Sequence, residues 1–348
     1  MVPKGEYLQF GGLAIIEGVM MRSPNYFSVA CRAPNGQIVL QTEPVAKGWL
    51  GRQKWLHLPF FRGPFALIDS FSLANRALTY ASEVQLDPKY AIGGKSDDDA
   101  VSAEGSSVHL PAKHGGDTLK KAAVGIASVL GMTFMVALFI FLPQVLGEQF
   151  KQQGLSDRSL NLISGLIKLT LFIGYVSLIR RMNAIYRVFQ YHGAEHKAIN
   201  TMESGQELTM ENCRKATRLH PRCGTNFAII VLLLDIAVMT FVMRYPLGYE
   251  NAHYMVNLAL RALINLPILF MVAGVAYEMI RFAGKFRSSA VVQAFFIPGL
   301  MTQYITTAPP QDDQIEVALV ALRAVVEAEE SASQPIAMKE LEAEPATL

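Results

Sequence analysis

The stretch AAVGIASVLGMTFMVALFIFL, residues 122–142, runs without one charged side chain and stops at Pro143. A helix needs about 20 such residues to cross the hydrocarbon core of a bilayer, and a buried helix of a soluble domain is usually shorter. Three further runs repeat the pattern. Residues 160–179 are interrupted only by Lys168, residues 225–243 only by Asp235, and residues 258–280 carry Arg261 near one end and Glu278 near the other. Four such runs predict a mainly α protein, a polytopic transmembrane bundle with at least four spans. A fifth run, 288–308, is uncharged but contains Pro298-Gly299 and several Ser, Thr and Gln residues, and reads as a re-entrant or interfacial segment.

Charge orients the bundle. The connection 180–224 holds eight basic residues: Arg180, Arg181, Arg187, Lys197, Arg214, Lys215, Arg218 and Arg222. The connection 143–159 holds only Lys151 and Arg158, and 244–257 only Arg244. Lys120 and Lys121 precede the first span, and Arg281, Lys285 and Arg287 follow the fourth. Basic residues stay on the cytoplasmic side. Both termini and the connection 180–224 are therefore expected in the cytoplasm. The opening residues MVPKGEYLQFGG hold no basic patch followed by an apolar run, so insertion is expected to rely on internal segments.

Composition agrees. Of 348 residues, 51% are hydrophobic and 17% charged, against about 25% charged in soluble domains. A net charge of +2 points to no nucleic acid or other polyanion, and nothing names a protein partner; the lipid bilayer is the expected surrounding. Three cysteines, Cys31, Cys213 and Cys223, are too few and too spread for a disulfide framework.

The remaining chain divides around the membrane domain at 119–308. In the N-terminal region 1–86, β-rich runs 26–33 and 37–43 flank Pro34-Asn35-Gly36 and predict a hairpin. Residues 64–84 place Leu67, Phe71, Ala74, Leu78 and Ala81 at helical spacing, with Asp69, Arg76 and Glu83 between, and predict a helix lying on the membrane or on the other helices. Residues 87–118 are rich in Gly, Ser and Asp and read as a disordered linker. After Pro309-Pro310, residues 309–330 predict an amphipathic helix with Ile315, Leu319, Leu322 and Val326 on one face, and 331–348 a disordered tail.

His192-Gly193-Ala194-Glu195-His196 reads H-x-x-E-H, the inverted zincin pattern, in which two histidines bind zinc and the glutamate acts as base. On a helix, positions i, i+3 and i+4 share a face. Both imidazoles then reach one ion, while the carboxylate stays near a water whose pKa zinc lowers to about 7. His220 and Cys223 lie in the same connection, just before the third span, and complete a donor set suited to a divalent metal, zinc above all. Four protein ligands make a closed structural site; three leave room for catalysis. Glu278 is a further candidate ligand, and Glu17, like Glu278, could serve as ligand or base. The same residues also read blandly, as histidines capping a helix end, a small buried cysteine and ion-paired carboxylates, which is the expectation for Glu203.

Lys168 and Asp235 each lie eight residues from the outer end of their spans, about 12 Å deep at 1.5 Å per residue. Charges inside a bilayer pair or line a pathway. One couple does not make a relay, so a structural pair is expected.

The stretches GGLAIIEGVMMR (11–22), PFFRGPFALIDS (59–70), YHGAEHKAINTME (191–203), HPRCGTNF (220–227), AYEMIRF (276–282) and PGLMTQYITTAPPQDDQIEVAL (298–319) resemble the YqhQ-like family, polytopic bacterial membrane proteins of unknown function with plastid relatives. That family is commonly labelled a predicted metal-dependent enzyme. The resemblance points to Glu17, Arg22, Arg62, His192, Glu195, His196, His220, Arg222, Cys223, Glu278 and Arg281 as the residues matching its pattern. Three functions follow as expectations. The first is a metal-dependent membrane hydrolase with Glu195 as base and with Glu17, Arg22, Arg62 and Arg222 at the substrate, the guanidinium forks suiting an anion such as a lipid phosphate. The second is an assembly or scaffold factor with a structural zinc. The third is an ion-coupled transporter using Lys168 and Asp235, against which stands the lack of an internal repeat or paired broken helices.

Overall fold

A computed structural model describes residues 10–45, 58–92, 126, 129–242, 254–285 and 290–341. The described residues begin with an antiparallel meander of four strands in the order β1-β2-β3-β4: β1 Gly11–Ile15, β2 Gly18–Arg22, β3 Tyr26–Arg32 and β4 Ile38–Pro44. The expected hairpin is its second half, with Arg32 opposite Ile38 and Gly36 at φ 90° in the turn. Only glycine enters that region without a steric cost. The first hairpin, β1–β2, was not foreseen. It turns at Ile16-Glu17, where Glu17 takes φ 51°.

Helix α1, Arg62–Leu86, follows. A helical stretch α2 spans Val129–Gln153, loosened into a π-turn over Ala137–Phe141 ahead of Pro143, whose ring cannot fit a regular helical turn. Then come α3 Asp157–Ile179, α4 Asn183–Glu203, α5 Met210–Lys215, α6 Gly224–Phe241, α7 Tyr254–Lys285, α8 Ala290–Thr306 and α9 Asp312–Leu341. Among the described residues, four helices, in α2, α3, α6 and α7, are long and apolar enough to cross a membrane. The first of these continues past the expected end at residue 142, while residues 122–125, 127 and 128 of the expected span lie outside the described residues. It includes Pro143 and continues to Gln153, because proline is tolerated where the helix has already opened into the wider turn.

Period-two alternation decides how the sheet is buried. Val19, Met21 and Ala30 point to one face, against Tyr191, Ala194, Ala198 and Ile199 of α4 and Ile315, Ala318 and Leu322 of α9. Met20, Phe27, Val29 and Cys31 point to the other, against Leu73, Ala77, Ala81 and Val84 of α1. The sheet thus lies between α1 and the α4/α9 pair, with both faces covered. The apolar face expected on α9 is buried, with Ile315, Leu319 and Leu322 in the core. The helix also runs past residue 330 to Leu341, through Pro335. Residues 93–118 of the expected linker and 342–348 of the tail lie outside the described residues.

The segment read as re-entrant or interfacial is a helix, α8, continuous through Pro298 and packed on α6. The basic connection 180–224 contains helices α4 and α5, and α4 carries the H-x-x-E-H residues to the sheet.

Candidate metal centre

Helix α4 places His192, Glu195 and His196 on one side, as their spacing requires. Cys223 caps the N-terminus of α6, its sulfur 3.4 Å from the backbone N–H of Thr225. His192, His196 and Cys223 form a group whose ligand atoms all lie within 4.8 Å of one another. His192 Nε2 is 3.1 Å from Cys223 Sγ, and the two histidine rings meet edge to face at 4.5 Å. His196 and Cys223 are buried, and His192 is half-buried.

The outer nitrogens are anchored. His192 Nδ1 lies 2.8 Å from the carbonyl oxygen of Thr306, and His196 Nδ1 lies 2.5 Å from that of Arg218. A carbonyl only accepts, so each Nδ1 carries the proton and donates it, which leaves both Nε2 lone pairs for a shared ion. Metal-binding histidines are oriented by this kind of partner. Tetrahedral zinc with nitrogen and sulfur ligands has edges of roughly 3.3–3.6 Å, so side-chain rotations of roughly 1 Å would close the triangle. The donor set fits zinc and leaves a fourth position open.

Several residues that the sequence did not single out build this geometry. Lys197 Nζ donates to the carbonyls of Arg214 and Ala216, and Asn200 donates to those of Thr217 and Leu219. One turn of α4 thereby holds the segment that leads to Cys223. Gln303 of α8 clamps the backbone of His220 from both sides, accepting from its N–H at 2.8 Å and donating to its carbonyl at 2.7 Å. A side chain at Gly193 would meet the Ala308 carbonyl at 2.2 Å, so glycine is what lets α4 approach the turn that presents Thr306. Thr306 and Gln303 both fall in the stretch 298–319, which carried the family resemblance but no assigned role.

Electrostatics follow from contact. Burial pulls the His192 imidazole down, but the Cys223 sulfur, Glu195 and the Thr306 carbonyl together raise it to about 9. Burial pushes the Cys223 thiol up, and His192 with His196 outweighs this and holds it well below the ordinary thiol range. Without metal, the Cys223 sulfur and the His192 imidazole thus each favour the other's charged form. Glu195 is 4% exposed, and its carboxylate lies 3.6 Å from His196 Nε2.

Other expected site residues lie apart from this group. The His220 ring is 5.6 Å from that of His196, with Nε2 at 3.5 Å from Glu203, which is itself ion-paired with Arg222. Glu203 is thus the ion-paired carboxylate expected. Glu278, read as a possible metal ligand, instead accepts from Arg62 Nε at 2.6 Å. It stands on α7, and α1 brings it a guanidinium partner before any ion could claim it. Arg22 pairs with Asp69 at 2.6 Å, and Glu17 pairs with Arg187 and accepts from Tyr191 at 3.3 Å. The three arginines offered as an anion clamp are thus each held by a carboxylate of the chain, on different elements. Lys168 Nζ and Asp235 stand 2.6 Å apart between α3 and α6.

Comparison with known proteins adds kinship without a function. The chain is 29% identical over 326 residues to the uncharacterized protein YqhQ of Bacillus subtilis (strain 168), covering 93% of this chain and 94% of that one. No solved structure matches. Residues 58–328, which include His192, His196 and Cys223, match a family described as protein of unknown function, and the chain belongs to that family, DUF1385.

Proposed function

We propose that this protein is a metal-dependent hydrolase embedded in the bacterial cytoplasmic membrane, with both termini and the catalytic centre on the cytoplasmic side. The observation that carries the reading is the convergence of His192, His196 and Cys223 within 4.8 Å, with both histidines oriented by backbone carbonyls. Their position at the N-terminus of α6 puts the centre at the end of a candidate span, beside the polar surface of α4. Basic residues of the connection 180–224 set that end toward the cytoplasm.

His192, His196 and Cys223 would hold the metal, zinc by their donor chemistry. When bound, such an ion supplies a Lewis acid that polarises a substrate oxygen and acidifies water. Glu195 is the base. Its carboxylate is next to His196 on the ligand face of α4, takes a proton from the attacking water and returns it to the leaving group. The Thr306 and Arg218 carbonyls keep both imidazoles in the ligating tautomer.

A second reading, a structural zinc in a scaffold factor, draws on the burial of His196 at 1% and Cys223 at 6% exposure. Metal analysis of the purified protein with complementation of a deletion strain separates the two. Wild type is expected to carry stoichiometric zinc, and His192→Ala and His196→Ala to lose it. Glu195→Gln keeps metal and fold but fails to complement if Glu195 is the base. Full complementation by Glu195→Gln moves the protein to the scaffold reading, and metal-free wild type defeats both.

A further inference from the structure

Helix α1 is apolar on two sides. Leu73, Ala77, Ala81 and Val84 lie against the sheet. Turned away from them, at helical spacing, are Phe61, Leu67, Ile68, Phe71 and Leu78, with Ile68 at 52% and Phe71 at 59% exposure. A soluble helix with one buried stripe carries polar residues opposite it. This one carries large apolar side chains there, joined by the exposed polar Asn75 and Thr79 farther along, and contiguous exposed apolar surface marks an interaction site.

The contacts of its first turns say what covers that surface. Phe65 packs edge-on against Phe270 of α7 at 5.9 Å. A side chain at Gly274 would meet the Phe60 carbonyl at 2.1 Å, so the backbone entering α1 rests directly on α7. Arg281 marks the cytoplasmic end of α7, and Gly274 lies seven residues before it, about 10 Å toward the membrane interior. Phe60 takes φ 69° there, a conformation with poor backbone pairing of its own. Glu278 supplies the partner, accepting from Phe60 N–H at 3.3 Å as well as from Arg62. Irregular backbone at membrane depth is tolerated where protein satisfies it in this way. Leu266 and Met271 of α7, within a few residues of these contacts, are also exposed apolar side chains.

We infer that α1 is a monotopic anchor whose outer face is immersed in the cytoplasmic leaflet, with acyl chains as its partner. One side of the helix grips the sheet and the other grips lipid. The far face of the sheet packs on α4, so the anchor sets the height of the metal centre above the bilayer. This rests on the reading of α7 as a membrane span.

The test places a fluorescent thiol label, one position at a time, at Ile68→Cys, Phe71→Cys, Leu266→Cys or Lys215→Cys of the full chain. The three native cysteines are buried. The labelled protein is reconstituted in phosphatidylethanolamine–phosphatidylglycerol vesicles with plain or brominated acyl chains. Quenching by bromine is expected at 68 and 71 as at 266, with none at 215; Phe61→Cys replaces either α1 variant that fails to fold. Quenching at 266 alone overturns the anchor while leaving the span intact. In that case reaction of 68 and 71 with an impermeant maleimide means an aqueous face, and protection from it means a protein cover. Absence of quenching at 266 as well overturns the span and the anchor together.

Discussion

Lys168 of α3 and Asp235 of α6 meet at 2.6 Å in the interior of the helical bundle, where Asp235 is 5% exposed. They border a cavity of about 50 Å³ lined also by Asn161, Ser164, Arg261 and Asn265. Each charge is costly alone in such a place, and each is the other's main compensation. Asp235→Ala should therefore lower stability by about 3–5 kcal/mol, because it strands an ammonium. Adding Lys168→Met to it should recover much of that loss. Thermal unfolding in one detergent, compared across the single and double variants, checks the sign. A double variant less stable than Asp235→Ala would show that the stranded ammonium is not what destabilises the single variant.

Gly193 and the Thr306–Ala308 turn make a second test, aimed at the orientation of His192. Gly193→Ala puts a methyl group against the Ala308 carbonyl and forces α4 away from it. The His192–Thr306 hydrogen bond should stretch or break. Loss of an orienting partner typically costs about 10–100-fold in metal affinity. Zinc affinity measured by chelator competition should fall by that order, with α-helical content unchanged. Unaltered affinity would show that the carbonyl does not orient the ring.

The Cys223–His192 pair makes the metal-free centre pH-dependent. His192 is raised, so its contribution to stability is complete below its ordinary value of 6.5 and is lost as pH rises through about 9. Cys223 is depressed, so its contribution is complete above its ordinary value of 9 and is lost as pH falls through its folded value. Thiolate absorbance should accordingly be present in metal-stripped protein at pH 7, absent in Cys223→Ser, and reduced in His192→Ala. A thiolate that appears in the wild type only as pH approaches 9 would contradict the pairing.

Orientation is open to a direct test with topology reporters. A fusion after Arg187 should report the cytoplasm, and one near Gly154, between α2 and α3, the exterior. The reverse pattern would place the metal centre outside the cell and remove the cytoplasmic function.

The apolar runs, the charge asymmetry and the H-x-x-E-H spacing were all legible along the chain, because each depends on short-range periodicity or on bulk transfer energies. The common face of His192, Glu195 and His196 follows from such a pattern, while the length of α4, within a stretch read only as a connection, does not. The β3–β4 hairpin announced itself through Asn35-Gly36. The β1–β2 hairpin did not, because it turns at a glutamate in a left-handed conformation that its ion pair with Arg187 helps to hold. Partner choice was decided only by tertiary structure. Equivalent carboxylates and histidines received different fates: Glu278 went to Arg62, Glu203 to Arg222, and Glu195 to the face of the histidines. Sequence spacing says nothing about which element approaches which, and a buried charge takes whichever opposite group the packing delivers within about 4 Å. For the same reason Thr306 and Gln303, more than 80 residues from the parts of the centre they orient, gained their roles only when α8 packed on α6.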